Sequence, residues 1–486
     1  VLGIAPVADP VSVQRLHPRV QGETMPEKLD AIIIGTGQGG KPLAGALAEA
    51  GWKAAIIEKA ERVGGTCVVT GCTPTKTMVA SARVAHLTRR AADYGVRTGP
   101  IRVDMAAVRK RKRDIVESWS SGSRKGMERH ETLELVMGQA RFSGPGEVTV
   151  ETHVGGIRVF TAGHIFINVG TRPGMPPVPG LESVGALNNE SVMELGEVPD
   201  HLIVIGGGFV GLEFGQMFRR FGSRVTVLER QPHCLPREDE DVADAIRQLL
   251  GEDGIEILCA STVERVERGP DEQVTVTATR HDGTHRITGS HVLVAAGRVP
   301  NSDTLDPAKA GLEVNDRGFI TVNERLETNV PGIFALGDVN GGPPFTHVSY
   351  DDFRILRTNI LEGGHAATTG RVVPYTLFID PQLGRVGLTE RQARAQGSDV
   401  RVARLPMSRV ARAIETDETR GVMKALVDGK TGRILGAAVL GIEGGEIASV
   451  IQVAMMAGLP YTALRDGVFS HPTLSESLNN LFTALA

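Results

Sequence analysis

Two stretches of the chain share one design, and they constrain the fold more than any other feature of the sequence. The first, "DAIIIGTGQGGKPLAGALAEAGWKAAIIEK", begins at Asp30, and the second, "HLIVIGGGFVGLEFGQMFRRFGSRVTVLER", begins at His201. Each has an apolar strand, a Gly-x-Gly-x-x-Gly turn, a helix and a second strand that ends in glutamate. The repeated residues are Gly35, Gly37, Gly40 and Glu58 in the first copy and Gly206, Gly208, Gly211 and Glu229 in the second, each 171 positions further along.

Each copy predicts a dinucleotide site. The glycines allow a tight turn and a close approach of the backbone to a pyrophosphate, and the helix N-terminus offers free N–H groups to it. The terminal glutamate accepts hydrogen bonds from ribose hydroxyls, so Glu58 and Glu229 both favour a free 2′-hydroxyl over a 2′-phosphate. Two such sites predict FAD and NADH exchanging electrons. Arg230, which follows Glu229, leaves NADPH possible.

Composition predicts a globular α/β protein of several domains. The chain has 486 residues, a net charge of −4 and 41% hydrophobic residues, which argues against nucleic-acid and membrane partners. Residues 1–24 lack the basic start and apolar core of a signal peptide, so we expect a tail with Met25 as an alternative start. Four cysteines are too few for a disulfide scaffold, and a cytoplasmic location is expected.

The stretch "GGTCVVTGCTPTK", residues 64–76, places Cys67 and Cys72 five positions apart. Three interpretations are a structural staple, a pair of metal ligands and a redox couple. An iron–sulfur cluster or a structural zinc needs further cysteine or histidine ligands nearby, and the sequence offers none, so no metal site is predicted. The residues after Cys72 suit a helix, whose N-terminus favours a thiolate. The redox interpretation is therefore favoured.

Further motifs give the chain a resemblance to the flavoprotein pyridine nucleotide-disulfide oxidoreductases, the family of glutathione reductase, lipoamide dehydrogenase and mercuric reductase. "TNVPGIFALGDV" resembles its second FAD motif, "VGTRP" and "AAGRVPN" its crossover segments, "VPYTLFIDPQLGRVGLTE" the start of its interface domain, and "HPTLSESL" its C-terminal active-site motif. The resemblance implies two Rossmann-like domains and a C-terminal α+β dimerisation domain. The implied division is a tail (1–27), an FAD domain (28–173 and 297–370), an NAD(P) domain (174–296) and an interface domain (371–486).

The resemblance also implies roles for individual residues. Cys72 would be the thiol beside the flavin, and Cys67 the thiol that exchanges with substrate. His471, oriented by Glu476, would be the acid–base group and would come from the partner subunit of a homodimer. Lys76 and Glu213 would form an ion pair near the flavin. Further cofactor-binding residues implied by the matched motifs are Gly65, Thr66, Gly170, Gly297, Gly337 and Asp338.

The acceptor of the electrons is left open by the sequence. Val69 and Thr73 depart from the common form of the redox loop, which affects substrate fit more than the electron path. The first hypothesis is a small disulfide or thiol substrate. The alternative is reduction of a soft metal ion, mercury or copper, because "FTHVSYDDFRIL" resembles a mercuric-reductase-like branch that includes copper-reducing flavoproteins. A third hypothesis is a flavin-binding redox sensor without efficient turnover.

Overall fold

The computed structural model describes residues 25–485, so the predicted N-terminal tail lies outside it except for its last three residues. Within this range the strands are β1 (Glu27–Ile34), β2 (Ala54–Glu58), β3 (Leu133–Gly144), β4 (Glu147–Thr152), β5 (Ile157–Ile167), β6 (Thr171–Pro173), β7 (His201–Ile205), β8 (Arg224–Leu228), β9 (Ile255–Leu258), β10 (Thr262–Arg268), β11 (Val274–Arg280), β12 (Gly283–Gly289), β13 (His291–Val294), β14 (Arg298–Pro300), β15 (Ile333–Ala335), β16 (Tyr375–Leu377), β17 (Gln382–Gly387), β18 (Val400–Pro406), β19 (Val422–Asp428) and β20 (Ile434–Gly441). The α-helices are α1 (Gly40–Glu49), α2 (Gly65–Val69), α3 (Cys72–Arg89), α4 (Met105–Glu128), α5 (Phe209–Phe221), α6 (Glu240–Glu252), α7 (Thr346–Leu361), α8 (Glu390–Ala395), α9 (Ala411–Glu415), α10 (Gly444–Met456), α11 (Tyr461–Arg465) and α12 (Ser477–Thr483). This is the α/β class that the sequence predicted.

The first sheet is built around β1, which pairs in parallel with β2 on one side and β5 on the other. Strand β3 extends the parallel sheet beyond β2, β15 extends it beyond β5, and β4 pairs antiparallel with both β3 and β5. Both faces of β1 are covered: Ile33 belongs to a buried cluster with Leu43 of α1, and Ile32 belongs to a second buried cluster that includes Leu305 and Ile320. A central strand buried on both sides explains the uninterrupted apolar run of its sequence.

The second sheet has the order β13-β7-β8-β9, and all its pairings are parallel. Helix α5 packs on it through Phe214 and Phe218, which are almost fully buried. A separate antiparallel sheet, β10-β11-β12, follows β9 along the chain. The first turn of this region therefore connects β7 to α5, just as the first turn of the chain connects β1 to α1.

The C-terminal sheet has the order β16-β17-β20-β19-β18 and is antiparallel throughout. Helix α10 lies so close to it that a Cβ on Gly384 would collide with the backbone of Gly444. The other face of α10 is apolar and open, with Val453 65% and Met456 69% exposed. A single chain thus presents apolar surface at the domain that the sequence assigned to dimerisation.

Two short strands, β6 and β14, pair antiparallel and connect the crossover segments on either side of the second sheet. The predicted domain boundaries, 173/174 and 296/297, fall at these strands, and the division itself remains a prediction. No helix within residues 25–485 combines the length and the apolar character needed to cross a bilayer.

Candidate active site

A cavity of about 850 Å³ lies where the first sheet, the cysteine segment and the start of the C-terminal sheet meet. Its walls include many of the residues singled out in the sequence. They are Gly35, Gly37, Glu58, Gly65, Thr66, Cys67, Cys72, Lys76, Gly170, Glu213 and Asp338. The second glycine turn and Glu229 lie outside its lining, so the structure separates the two predicted nucleotide sites.

The first glycine turn is tightly built against the strand next to it. Gly35 has φ +103°, and a Cβ there would collide with the carbonyl oxygen of Asn168. A Cβ on Gly40 would collide in turn with the carbonyl oxygen of Gly35. The side chain of Asn168 closes the turn, because its Oδ1 accepts the N–H of Gly40 at 2.9 Å and its Nδ2 donates to Leu336 O at 2.8 Å.

The second turn repeats this geometry. Gly206 has φ +115°, and its Cβ would collide with the carbonyl oxygen of Ala295. A Cβ on Gly211 would collide with Gly206 O, the equivalent of the Gly40 contact in the first copy. Among residues 25–485, no atom outside the immediate chain neighbours of Gly208 lies within 4 Å of a Cβ built on it, so the backbone there is open to a ligand. The repeat in sequence is therefore also a repeat in structure.

The two glutamates are held in the same way. Glu58 Oε2 accepts the N–H of Thr36 at 3.1 Å, and Glu229 Oε2 accepts the N–H of Gly207 at 2.6 Å. The other carboxylate oxygen of each accepts the backbone N–H two residues further along, at 2.9 Å for Glu58 and 2.7 Å for Glu229. Each carboxylate is thus fixed between its own strand end and its own glycine turn. The hydroxyl of Thr36 also donates to Glu58 Oε2, so Glu58 keeps a lone pair for a ligand hydroxyl on Oε1, and Glu229 keeps one on each oxygen.

The two cysteines lie on consecutive helices. Cys67 is in α2, and Cys72 is the first residue of α3, where the sequence predicted a helix N-terminus. Both are free thiols, and the sulfur of Cys72 lies 3.2 Å from Oγ1 of Thr346. Hydrogen bonding from Cys67 lowers the pKa of Cys72 to about 6, with help from the Thr346 hydroxyl and Lys76 against the effect of burial. The same pairing, together with burial, raises the pKa of Cys67. In the dithiol the negative charge therefore rests on Cys72 and the proton on Cys67.

Lys76 lies one helical turn after Cys72 on α3, and its ammonium meets the carboxylate of Glu213 on α5 at 2.5 Å. The other oxygen of Glu213 accepts the backbone N–H of Phe378 at 2.8 Å. The ring of Phe378 lies 4.7 Å below the Lys76 ammonium. Glu213 is almost fully buried and its charge is compensated, while Lys76 remains one-third exposed towards the cavity. A fixed positive charge thus lines the cavity beside the cysteines.

Asp338 occupies a 3₁₀ turn, Gly337–Asn340, and contributes a half-buried carboxylate to the cavity wall. Its Oδ2 accepts from the hydroxyl of Thr171 at 3.2 Å. Burial raises its pKa, and the charge of nearby Arg298 only partly opposes this. A half-buried carboxylate with spare acceptor capacity fits a ligand that presents hydroxyl groups. Gly297 does not line the cavity, although the next residue, Arg298, does.

His471 and Glu476 form a pair of their own. Nδ1 of His471 lies 2.9 Å from Oε2 of Glu476, which fixes the ring and leaves Nε2 free to act. The imidazole is 68% exposed, and neither residue lines the cavity of its own chain. The structure thus brings the cysteines, Lys76 and Glu213 together and leaves the histidine pair apart from them.

Three residues at the site were not singled out from the sequence. Thr346 begins α7, 274 positions from Cys72. It lies in "FTHVSYDDFRIL", a stretch that indicated a branch of the family and not a partner of the thiols. Phe378 is also remote in sequence from the pair it contacts, 165 positions from Glu213. Asn168 directly precedes "VGTRP", so the matched crossover segment was a signal that could have pointed to it.

Comparisons with known proteins agree with this geometry. Residues 29–352 match the pyridine nucleotide-disulphide oxidoreductase family, and residues 373–482 match the dimerisation domain of that family. The chain belongs to the pyridine nucleotide-disulphide oxidoreductases. The resemblance inferred from the sequence is confirmed.

Individual relatives cover nearly the whole chain. A probable pyridine nucleotide-disulfide oxidoreductase, RclA, of Escherichia coli K12 is 40% identical over 94% of this chain and 99% of its own length. A mercuric reductase of Bacillus cereus is 34% identical over 92% of this chain and 70% of its own. A solved structure of the E. coli RclA, described as the Cu(II) complex of a HOCl-induced flavoprotein disulfide reductase, has a TM-score of 0.86, with 39% identity over 94% of this chain and 99% of that one.

The chain is therefore an NAD(P)H-dependent flavoprotein oxidoreductase, with FAD and a nicotinamide dinucleotide as its cofactors. The residues present fit both groups. The half-buried Asp338 carboxylate offers acceptor capacity to the hydroxyls of one dinucleotide, and the open backbone at Gly208 gives the pyrophosphate of the other a place to approach.

Proposed function

We propose that the chain passes electrons from NADH, through FAD, to a Cys67–Cys72 disulfide and on to a small disulfide substrate, which leaves as thiols. The observation that carries this proposal is the placement of the thiol pair: both cysteines line the cavity beside the Lys76 ammonium, and Cys72 begins α3 with its sulfur 3.2 Å from the Thr346 hydroxyl. An inert structural pair would need neither the ammonium nor the open cavity beside it.

FAD supplies an acceptor for the nicotinamide hydride and a donor of the electron pair to the disulfide. The proposed FAD residues are Gly35, Gly37, Gly40, Glu58, Gly65, Thr66, Lys76, Gly170, Gly337 and Asp338. The proposed residues for the nicotinamide dinucleotide are Gly206, Gly208, Gly211, Glu229 and Gly297. The ammonium of Lys76, fixed by Glu213, stabilises negative charge that develops beside it in the cavity.

We propose NADH rather than NADPH because the carboxylate of Glu229 is fixed where an adenosine ribose would lie. Its two oxygens are tied to the backbone N–H groups of Gly207 and Gln231, so it cannot swing away from an approaching phosphate. A 2′-phosphate would meet this anion, and Arg230, which is exposed, would have to offset it. The ratio of kcat/KM for NADH and NADPH, compared between the native chain and Glu229→Ala, tests the choice. A ratio unmoved by the substitution would contradict the role of Glu229.

The substrate step follows from the charge distribution of the thiol pair. Cys67 must lose its proton before its sulfur can attack a substrate disulfide, because the thiolate is the nucleophile. Attack forms a mixed disulfide and releases one substrate sulfur as a thiolate, which takes up a proton. Cys72 then attacks Cys67, the Cys67–Cys72 disulfide forms, and the second substrate thiol leaves. Each cycle moves two electrons and two protons to the substrate.

The proton transfers require a base at Cys67. The imidazole of His347 lines the cavity, but its Nε2 donates to the carbonyl oxygen of Pro374 at 2.7 Å. His471, held by Glu476, is exposed and outside that cavity. We propose a homodimer in which the partner subunit's His471 reaches Cys67, with the exposed apolar face of α10 covered by the same contact. The family match to a dimerisation domain supports this arrangement.

The test is His471→Ala in the full-length holoprotein. General acid–base groups contribute about 10²- to 10⁴-fold, so turnover with a disulfide such as lipoamide, oxidised glutathione or 5,5′-dithiobis(2-nitrobenzoate) should fall by that range. Reduction of the flavin by NADH, followed in a stopped-flow instrument, should keep its rate because no substrate proton is transferred in it. Cys67→Ser is the matched comparison, since it removes the exchanging sulfur itself. Equal disulfide turnover in the native chain and His471→Ala would contradict the proposal.

Copper(II) is the second candidate acceptor, because the E. coli relative with 39% identity has been solved as a Cu(II) complex. Thiolates are soft ligands that favour Cu(I), so a reduced dithiol could bind copper and pass it electrons. Balance requires two Cu(II) ions per dithiol, each gaining one electron as the two sulfurs form a disulfide. Direct metal reduction needs no protonated leaving sulfur, so His471→Ala should spare it while reducing disulfide turnover. Anaerobic NADH oxidation with Cu(II) as sole acceptor measures this.

A further inference from the structure

A second pair of thiols lies beside the second glycine turn. Cys234 is in the segment between β8 and α6, and Cys259 directly follows β9. Their sulfurs are 3.8 Å apart. A disulfide has an S–S bond of about 2.05 Å, so a relative movement of about 2 Å would allow the two sulfurs to bond. Neither residue belongs to a recognisable sequence motif.

This pair, defined here as the distal thiols Cys234 and Cys259, is in contact with the turn itself. A Cβ on Gly207 would lie 2.8 Å from the sulfur of Cys234 and 3.0 Å from the Cβ of Glu229. The residue after Cys234, Leu235, donates its N–H to Gly207 O at 3.2 Å. Any shift of the Cys234 segment is therefore transmitted to the backbone of the turn.

The Cys259 segment is attached to the other side of Glu229. The N–H of Glu229 donates to Leu258 O at 3.0 Å, and the N–H of Ser261 donates back to Glu229 O at 2.9 Å. Glu229 thus lies between the two cysteine-bearing segments. Closing the gap between the sulfurs would pull both segments across the glutamate proposed to hold the adenosine ribose.

The backbone at both cysteines is strained. Leu235, directly after Cys234, has φ +51°, and Ala260, directly after Cys259, has φ +50°. Residues with a Cβ rarely adopt this left-handed region, and such strain is concentrated at functional sites and switches. A strained residue thus follows each of the two neighbouring thiols, and the surrounding structure holds both segments in this conformation.

The two thiols have different chemistry. Cys259 is half-buried, and hydrogen bonding from Cys234 lowers its pKa to about 7. Cys234 is only 2% exposed, and the same interaction together with burial raises its pKa. A partly accessible thiolate next to a buried thiol is the arrangement in which one sulfur is oxidised and the other resolves it.

We propose that the distal thiols form a regulatory disulfide under peroxide-class oxidants and that this disulfide weakens binding of the nicotinamide dinucleotide. The Cys259 thiolate attacks the peroxide, an S–O bond forms, the O–O bond breaks, and hydroxide leaves and is protonated to water. The sulfur of Cys234 then attacks the sulfenic sulfur, the S–S bond forms, and water leaves. Two thiols lose two electrons and two protons, and hydrogen peroxide becomes two waters. The effect on binding rests on the proposed function, which assigns Glu229 to this dinucleotide.

The test uses the full-length FAD-loaded protein treated with hydrogen peroxide, with untreated and dithiothreitol-reversed samples beside it. Peptide mapping after alkylation identifies which cysteines are joined, and the concentration dependence of flavin reduction by NADH gives the apparent Kd. We expect a Cys234–Cys259 disulfide and a Kd raised by about tenfold, the loss of one good hydrogen bond to the ribose. Dithiothreitol should restore both. Cys259→Ser should form no such disulfide and show an unchanged Kd after peroxide.

The proposal is overturned if peroxide leaves the distal thiols unjoined, or if the disulfide forms and the Kd does not move. A Kd that rises equally in Cys259→Ser would also overturn it, since another lesion would be responsible. A different result would contradict the proposed function, namely that NADH does not reduce the flavin of untreated protein. Peptide mapping does not depend on NADH, so the two failures are distinguishable.

Discussion

The hydroxyl of Thr346 gives a direct test of how the charge of the redox pair is held. It lies 3.2 Å from the sulfur of Cys72. A hydroxyl at this distance can donate a hydrogen bond to the Cys72 thiolate and so stabilises the charged form. Thr346→Val keeps the shape of the side chain and removes the donor. A hydrogen bond to a charged group contributes about 1.5–3 kcal/mol, and one pKa unit corresponds to about 1.4 kcal/mol. Because sulfur is a weak acceptor and the cavity is open, the lower end applies, and the pKa of Cys72 should rise from about 6 to roughly 7.

The assay is a pH titration of the dithiol holoprotein. A thiolate next to an oxidised flavin gives a long-wavelength absorption band, and its intensity reports the charged fraction of Cys72. At pH 7 that fraction should fall from about nine-tenths to about one-half in Thr346→Val. Thr346→Ser keeps the hydroxyl and serves as the matched control. A midpoint that stays near 6 in Thr346→Val, or that moves equally in Thr346→Ser, would refute the role assigned to the hydroxyl.

Three further predictions concern the ion pair, the first glycine turn and the histidine pair. Lys76→Met leaves the carboxylate of Glu213 buried without its partner, so the free energy of unfolding should fall by about 1–3 kcal/mol. This range is already reduced for solvent screening, because Lys76 is 33% exposed. A lowered melting temperature would show the loss. Asn168→Ala leaves two buried backbone groups unpaired and should release FAD at a lower temperature, followed by flavin fluorescence. Glu476→Gln removes the anion that fixes His471 and should lower disulfide turnover about tenfold or more, with NADH reduction of the flavin unchanged.

The first two of these substitutions have matched controls. Lys76→Arg keeps the charge and should recover most of the lost stability, and Asn168→Asp keeps the acceptor for the turn while removing the donor. Equal melting temperatures for Lys76→Met and the native chain would show that the ion pair does not stabilise the fold around the buried Glu213. A flavin that is released at an unchanged temperature in Asn168→Ala would show that the first turn is stabilised elsewhere. Full turnover in Glu476→Gln would remove Glu476 from the mechanism.

The features that could be predicted from the sequence are those formed by residues close together along the chain. The glycine turns and their glutamates can be recognised within about thirty positions, because the strand, turn, helix and second strand follow one another along the chain. The carbonyls that require glycine at Gly35 and Gly206 are remote in sequence, on Asn168 and Ala295. The start of α3 at Cys72 is equally local. The Lys76–Glu213 pair came only from the family resemblance, since nothing near either residue indicates the other.

Sequence patterns do not predict other parts of the site. Thr346 reaches Cys72 across 274 positions, and a threonine at the start of a helix has many ordinary reasons to be there. The distal thiols Cys234 and Cys259 show no motif spacing in the sequence. Their approach depends on the two parallel strands β8 and β9, which bring their segments side by side. Which nucleotide each turn holds, and which acceptor reaches Cys67, depend on surroundings that no single segment contains.

The exposed position of His471 has a consequence for how this protein would respond to its own concentration. A lone chain carries the thiol pair and its cavity, but its imidazole is directed to solvent and lies outside that cavity. In the homodimer proposed above, each subunit would supply its His471 to the cavity of the other. One chain would therefore suffice for hydride transfer to the flavin, while reduction of the disulfide substrate would need two. Dilution would then uncouple the half-reactions: NADH would still bleach the flavin, while disulfide turnover per subunit would decline as the dimer dissociates.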